Sequence, residues 1–353
     1  MRRILALLAL SLVWMAGTAA AAPQIAVDLA TYNFPDTVEG IAVVYTFVLS
    51  NVGDQELVME RPIPGCHCTT TQLATDRLQP GQSVELRAVL DTNGFSGRVA
   101  RTITVESNDP VHPTIQLNLV GNVVDRQSYQ KPVSDLFNEA YLLVDVRDAT
   151  AYAAGHLLGA MNVPASEAAS RAAGLPPSAL IVIYDQGGST STLAAVSQAL
   201  HGGGLASVYA LRGGLDLWQK TYKAPFVVAG GTGAWGPFVD VSGARAYSTG
   251  TLQNFDVSQL KSWYCVLIDL RSPSAYAAGH LAGAVNVDES GVAAFLGTLP
   301  SDIDVILYSD DGSASDRIVY GMWQRGSRAQ SLLGGLAEWQ AQHGNFLIVA
   351  SAG

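Results

Sequence analysis

Apolar and polar positions alternate along the first third of the chain. Val84, Leu86, Ala88 and Leu90 alternate with Glu85 and Arg87, and Ile115, Leu117 and Leu119 alternate with Gln116 and Asn118. A period of two puts one set of side chains on one face of an extended strand. TYNFPDTVEG, SNVGDQ, LQPGQS and SNDPVHP supply turn chemistry between the runs. Short antiparallel strands at this spacing predict an Ig-like β-sandwich over residues 23–125. After Val124 the period changes. Apolar runs (LLVDVR, ALIVIYD, SVYALRGG) alternate with helical stretches such as STLAAVSQALHGG, the βαβ pattern of a parallel sheet.

That second pattern occurs twice. LLVDVRDATAYAAGHLLGAMNV (142–163) aligns with VLIDLRSPSAYAAGHLAGAVNV (266–287) at an offset of 124, and AYAAGH is identical in both. IVIYDQGGSTS aligns with VILYSDDGSAS at the same offset, and LRGGLDLW meets LLGGLAEW at 121. Two tandem α/β domains are therefore expected, over 126–223 and 247–345, with glycine-rich 224–246 as their connector.

The other end of the chain carries a different signal. MRRILALLALSLVWMAGTAAAAP has two arginines, an apolar run too short for a membrane span, and several A-x-A sites. Residues 1–22 read as a secretory signal peptide, which places the mature protein in the periplasm or outside the cell. No later segment is long and apolar enough to cross a bilayer. The formal charge is −10, or −12 once Arg2 and Arg3 are lost, which argues against nucleic acid or an anionic membrane surface as partner. Only 14% of residues are charged, below the roughly 25% usual for soluble domains, so small polar residues and alanine must cover much of the surface. Three cysteines leave at least one outside any internal disulfide.

Each α/β copy carries four blocks in the same order: Asp-x-Arg ending a strand, Gly-His-x-x-Gly-Ala-x-Asn, a strand running into a tight loop, and Gly-Gly-x-x-x-Trp. Together they resemble rhodanese domains. The resemblance implies a loop of the form Cys-x-x-Gly-x-Arg-Ser, whose backbone N–H groups converge on a cysteine that carries sulfane sulfur to an acceptor. Here the first loop has Asp185, Gly188, Thr190 and Ser191 at those positions, and the second has Ser309, Gly312, Ala314 and Ser315. On this mapping both copies keep the glycine and the final serine, expected to shape the turn, and lose the nucleophile and the arginine. Asp185 is expected to cap the following helix, although aspartyl nucleophiles exist. Ser309 has no evident general base beside it. Cys265, aligned with Tyr141, is expected as a buried thiol far from the loop. His156 and His280 are expected to fix the bend after a helix.

GCHCTTT (65–71), with the turns around it, resembles a bacterial family of uncharacterised Ig-like envelope domains bearing a Cys-Gly-Cys-Thr signature, with His67 in place of the central glycine. On an extended strand Cys66 and Cys68 would share one face and His67 the other. Cys66, His67 and Cys68 are weak candidates for a soft metal ion. A disulfide between Cys66 and Cys68 would sit near the upper limit of allowed Cα separation and be easily reduced. The expected function is a non-catalytic binding or scaffold role in a cell-envelope assembly, with an envelope or secreted protein as partner and no cofactor. The alternative is sulfur transfer, thiol redox or metal handling through Cys66 and Cys68.

Overall fold

The computed structural model describes residues 21–139, 141–172, 180–222, 227–230, 253–256, 258, 260, 265–299 and 304–350. The expected signal peptide therefore lies outside the described residues apart from its last two, and so does most of the expected connector. Among the described residues no helix is long and apolar enough to cross a membrane.

The alternating segment forms the expected all-β sandwich. One sheet runs in the order Ile25–Val27, Val43–Asn51, Ser83–Leu90, Thr69–Leu73. The other runs Thr31–Asn33, Thr114–Val124, Gly97–Glu106, Ile63–Pro64, with Thr37–Val38 added in parallel beside Val123 and Val124. Period two does what the pattern requires: Val84, Leu86, Ala88 and Leu90 are buried while Glu85 faces solvent. Most of the sandwich makes one compact unit; Asn33–Val44, Val89–Val99 and the chain from Val120 onward make the other.

Within the larger unit lie two five-stranded parallel sheets, one for each sequence repeat. The first is ordered Met161–Asn162, Tyr141–Asp145, Leu180–Tyr184, Ser207–Leu211, Gln253–Phe255. The second is ordered Val285–Asn286, Cys265–Asp269, Asp304–Tyr308, Gln330–Leu332, Gln130–Lys131. Their edge strands are exchanged. The offset of 124 maps Gln130 onto Asn254, yet Gln130 pairs with Ser331 of the second copy and Asn254 with Ala210 of the first. The helix after the first exchanged strand, Val133–Glu139, likewise packs on Gly335–His343 of the second copy.

One apolar cluster consequently runs through both copies and joins Leu142 and Ile181 to Leu136, Ile306 and Trp339. Where the backbones meet, Gly159 and Gly283 both have φ +80, and a Cβ on either would stand 3.0 Å from the other's carbonyl oxygen. These are glycines of the Gly-Ala blocks, and any other residue would be strained there by its positive φ and crowded against the facing carbonyl. Outer strands also reach past the expected boundaries. Val227–Val228, inside the expected connector, pairs with His156–Leu157, and Ile348–Val349, beyond residue 345, pairs with His280–Leu281.

Candidate functional site

In each copy the buried central strand ends at the loop singled out by sequence. Leu180–Tyr184 delivers Asp185 into it, and the helix Thr190–Gly202 leaves it. Asp185 is 9% exposed. Its Oδ1 accepts the Gly188 N–H at 2.5 Å and the Ser189 N–H at 3.1 Å, and Oδ2 accepts the Ser189 N–H at 3.0 Å. The carboxylate therefore sits on the turn amides of Gly188 and Ser189, immediately ahead of the helix that starts at Thr190. The other side of the loop is held by the Gly-Gly-x-x-x-Trp block. Leu215 N–H donates to the Asp185 carbonyl at 3.0 Å and Asp216 N–H to that of Gln186 at 2.9 Å. This close approach needs Gly188, at φ +73, since a Cβ there would lie 2.5 Å from Gly213 N. Trp218, at the end of the block, is fully buried and anchors its helix.

The second loop is built on the same frame but capped differently. Leu336 N–H donates to the Ser309 carbonyl at 2.9 Å and Ala337 N–H to that of Asp310 at 2.8 Å. Ser309 is buried, and its Oγ has no hydrogen-bond partner among the described residues. The capping carboxylate belongs instead to Asp311, whose Oδ1 accepts the Ser313 N–H at 3.0 Å and the Ser313 hydroxyl at 2.6 Å. The hydroxyl, then the amide, hold the Asp311 carboxyl below the usual carboxylate range. The signal for Asp311 in the sequence is its position two residues before Ser313, an Asx-turn spacing.

The serines expected to shape both turns do so in one. Ser315 is buried and donates to the Gly312 carbonyl at 2.9 Å, whereas Ser191 is exposed. The cause is the face each helix buries: Leu193, Val196, Ser197 and Leu200 in the first copy, Ser315 and Val319 in the second. Thr190, in the arginine position of the first loop, is exposed, and Ala314 of the second is half-buried.

Arginine enters both sites from the Asp-x-Arg block. Arg147 is locked on Asp145 through Nη2 at 2.6 Å and on the Gly155 carbonyl at 2.6 Å, and its Nη1 donates to Gln186 of the loop at 2.6 Å. Arg271 repeats the first two contacts with Asp269 and Gly279, and lies 3.5 Å from Asp310. Both guanidiniums are thus spent on the frame. The histidines also serve the frame: His156 Nδ1 lies 3.0 Å from the Tyr152 carbonyl and His280 Nδ1 2.8 Å from that of Tyr276, each ring stacked on its tyrosine. Burial pushes both imidazoles below their ordinary pKa. Cys265, half-buried rather than buried, opens its strand at the end away from the loop.

In the sandwich, Cys66 and Cys68 form a disulfide with Cα atoms 5.2 Å apart. The extended strand expected here is instead a turn between Ile63–Pro64 and Thr69–Leu73, closed by Thr69 N–H on the Cys66 carbonyl at 3.4 Å. Turning brings the Cα atoms well inside the range a disulfide spans, so the expected separation near its limit does not arise. With both sulfurs bonded to each other, neither is a thiolate ligand in this state, and His67 is exposed. Arg101, 33 residues away in sequence, donates from Nε to Cys68 Sγ at 3.4 Å. Nothing in the motif announces it; antiparallel pairing of Gly97–Glu106 with Ile63–Pro64 brings it there.

Comparison with known proteins follows the same division. The family described as Rhodanese-like domain matches residues 130–221 and 256–342, and the family described as Protein of unknown function (DUF1573) matches 25–123. Thiosulfate sulfurtransferase GlpE of Pseudomonas putida (strain GB-1) is 41% identical over 88 residues, 24% of this chain and 76% of that protein. The uncharacterized protein YqhL of Bacillus subtilis is 34% identical over 82 residues, 23% of this chain and 64% of that protein. Among solved structures, a rhodanese-related protein from Thermoplasma volcanium aligns with TM-score 0.23 and 20% identity, covering 26% of this chain and 92% of that one. A protein of unknown function from Porphyromonas gingivalis W83 aligns with TM-score 0.27 and 19% identity, covering 30% of this chain and half of that one.

Proposed function

The chain belongs to the rhodanese-like family, and we propose that its two rhodanese copies bind a protein partner in the cell envelope instead of transferring sulfur. The observation that carries this reading is the Asp185 carboxylate lying on the Gly188 and Ser189 amides. In a sulfurtransferase loop these amides face a cysteine thiolate or persulfide and stabilise its charge. Here a fixed side chain supplies the anion, and the cradle is satisfied without substrate. In the second loop a neutral hydroxyl stands at the nucleophile position, followed by the exposed carboxylates of Asp310, beside Arg271, and Asp311, on Ser313. A carboxylate and an unactivated hydroxyl are poor nucleophiles toward sulfane sulfur, and two acidic groups repel an anionic donor such as thiosulfate.

The frame around such a loop is nonetheless present in both copies, down to the glycine contacts and the buried Trp218 and Trp339, which supports a role for the loop shape itself. A chain with few charges can offer the roughly 800 Å² per partner of a specific interface without desolvating many ions. The apolar leader at residues 4–14 supports an envelope location. Two measurements test the proposal. Thiosulfate:cyanide turnover by the purified protein should stay at background, and pull-down from native envelope should recover a partner through the rhodanese pair. Turnover abolished by Asp185→Ala, or recovery of every partner by the sandwich alone, would refute it.

A further inference from the structure

A structural reason for the Cys66–Cys68 disulfide is hard to find. Cross-linking residues two apart removes little freedom from the unfolded chain, far less than closing a long loop does. What surrounds the sulfurs points elsewhere. Cys66 and Cys68 are each half-buried, and Cys66, flanked by exposed Gly65 and exposed His67, is the one an incoming group can reach from both sides, whereas Cys68 is backed by buried Thr69. The Arg101 guanidinium donates from Nε to Cys68 Sγ at 3.4 Å and from Nη1 to the Ala100 carbonyl at 2.8 Å. Thr69 Oγ1 lies 3.5 Å from Cys66 Sγ and 3.9 Å from Cys68 Sγ. A neutral disulfide sulfur is a weak acceptor and gains little from a guanidinium; a thiolate gains a great deal. The arrangement is therefore complementary to the reduced pair, and stabilising the reduced form makes a disulfide a stronger oxidant.

We propose that Cys66–Cys68 is a redox-active disulfide that oxidises a partner dithiol, with Cys66 the sulfur attacked and Cys68 the leaving thiolate. One thiolate of the dithiol attacks Cys66 Sγ. The new S–S bond forms as the Cys66–Cys68 bond breaks, and its electron pair stays on Cys68 Sγ beside Arg101. The second thiol of the dithiol then loses its proton and attacks the mixed disulfide at the partner sulfur. Cys66 leaves as a thiolate and takes up a proton. The partner has lost two electrons and two protons and holds a disulfide; the cysteine pair has gained two electrons. A second disulfide-bearing protein or small molecule would accept those electrons to restore the starting state. Arg101 touches the sulfur that leaves and so belongs to the catalytic set, while Thr69 orients the turn.

The test uses the whole mature protein, with peptide mapping to separate Cys265 from the pair. In Cys66→Ser, Cys68 should be alkylated by iodoacetamide at pH 6.5 roughly tenfold faster than Cys66 is in Cys68→Ser, as a thiol lowered by one to two pH units would be. Adding Arg101→Met to Cys66→Ser should abolish that advantage, while His67→Gln should leave it in place. With the pair intact, limiting dithiothreitol should reduce the disulfide of the native protein, and Arg101→Met should slow this about three- to tenfold. A disulfide that resists dithiothreitol until urea unfolds the protein would overturn the proposal. Equal reactivity of the two lone cysteines, or a reduction rate indifferent to Arg101, would do the same.

Discussion

The two loops show how one backbone demand is met by different residues. A helix that starts in a tight turn presents amides that need an acceptor. Asp185 supplies it from the position just past the strand Leu180–Tyr184, and Asp311 supplies it from two positions further on. Asp185→Ala should therefore lower stability by about 0.5–2 kcal/mol, read from a urea midpoint, without removing partner binding. Asp311→Ala should also destabilise, with its effect lost as the carboxyl protonates in acid. Ser309 sits at the position equivalent to Asp185 but caps nothing. Its buried Oγ lacks a partner among the described residues, so Ser309→Ala should be neutral or raise stability by up to about 1 kcal/mol. A large loss from that substitution would show that the hydroxyl makes a bond absent from this structure. A carboxylate at Asp185 ahead of a helix was legible from sequence, because the residue type and its place carry the information, although the amides it reaches precede the helix's first turn. The empty hydroxyl of Ser309 was not, because burial and the lack of a partner are properties of packing.

At the scale of elements, the exchanged edge strands decide what can fold alone. Gln130–Lys131 and the helix Val133–Glu139 belong by sequence to the first copy and complete the second, while Gln253–Phe255 does the reverse. A fragment of residues 126–222 would keep an arm with no sheet to join and a sheet edge at Ser207–Leu211 with no neighbour. It should not give a folded monomer; aggregation or a self-exchanged dimer is expected in size-exclusion chromatography with light scattering. The span 126–350 contains both arms, both acceptors and the Ile348–Val349 strand, and should give a folded monomer with a single cooperative transition. A stable, monomeric 126–222 fragment would contradict the exchange. Gly159→Ala or Gly283→Ala should weaken the joined pair, since each adds a Cβ at positive φ against the facing carbonyl.

For the molecule as a whole, acid should act mainly through buried imidazoles of the α/β copies. Burial lowers His156 and His280 below the ordinary 6.5 and takes His343 to about 4. The unfolded chain then binds more protons than the folded one as pH falls below 6.5, so stability drops across that range and levels off near 4 for His343. A loss on the order of 1–3 kcal/mol from His343 alone is expected, and urea midpoints at pH 7.5, 6 and 4.5 would reveal it. His343→Gln should flatten the curve in that window. The sequence by itself determined the class and number of domains, because period two, the βαβ period and a repeat at constant offset are written in local residue order. It also located both loops, since turn glycines and strand ends are local too. The tertiary structure alone decided which copy each edge strand completes, because parallel pairing between distant strands, Gln130 with Ser331 and Asn254 with Ala210, leaves no trace in either strand's own pattern. It alone turned Cys-x-Cys from an extended strand into a closed turn and set Arg101 beside Cys68, for contacts across a sheet depend on register, and register is settled by the packing of the whole sandwich.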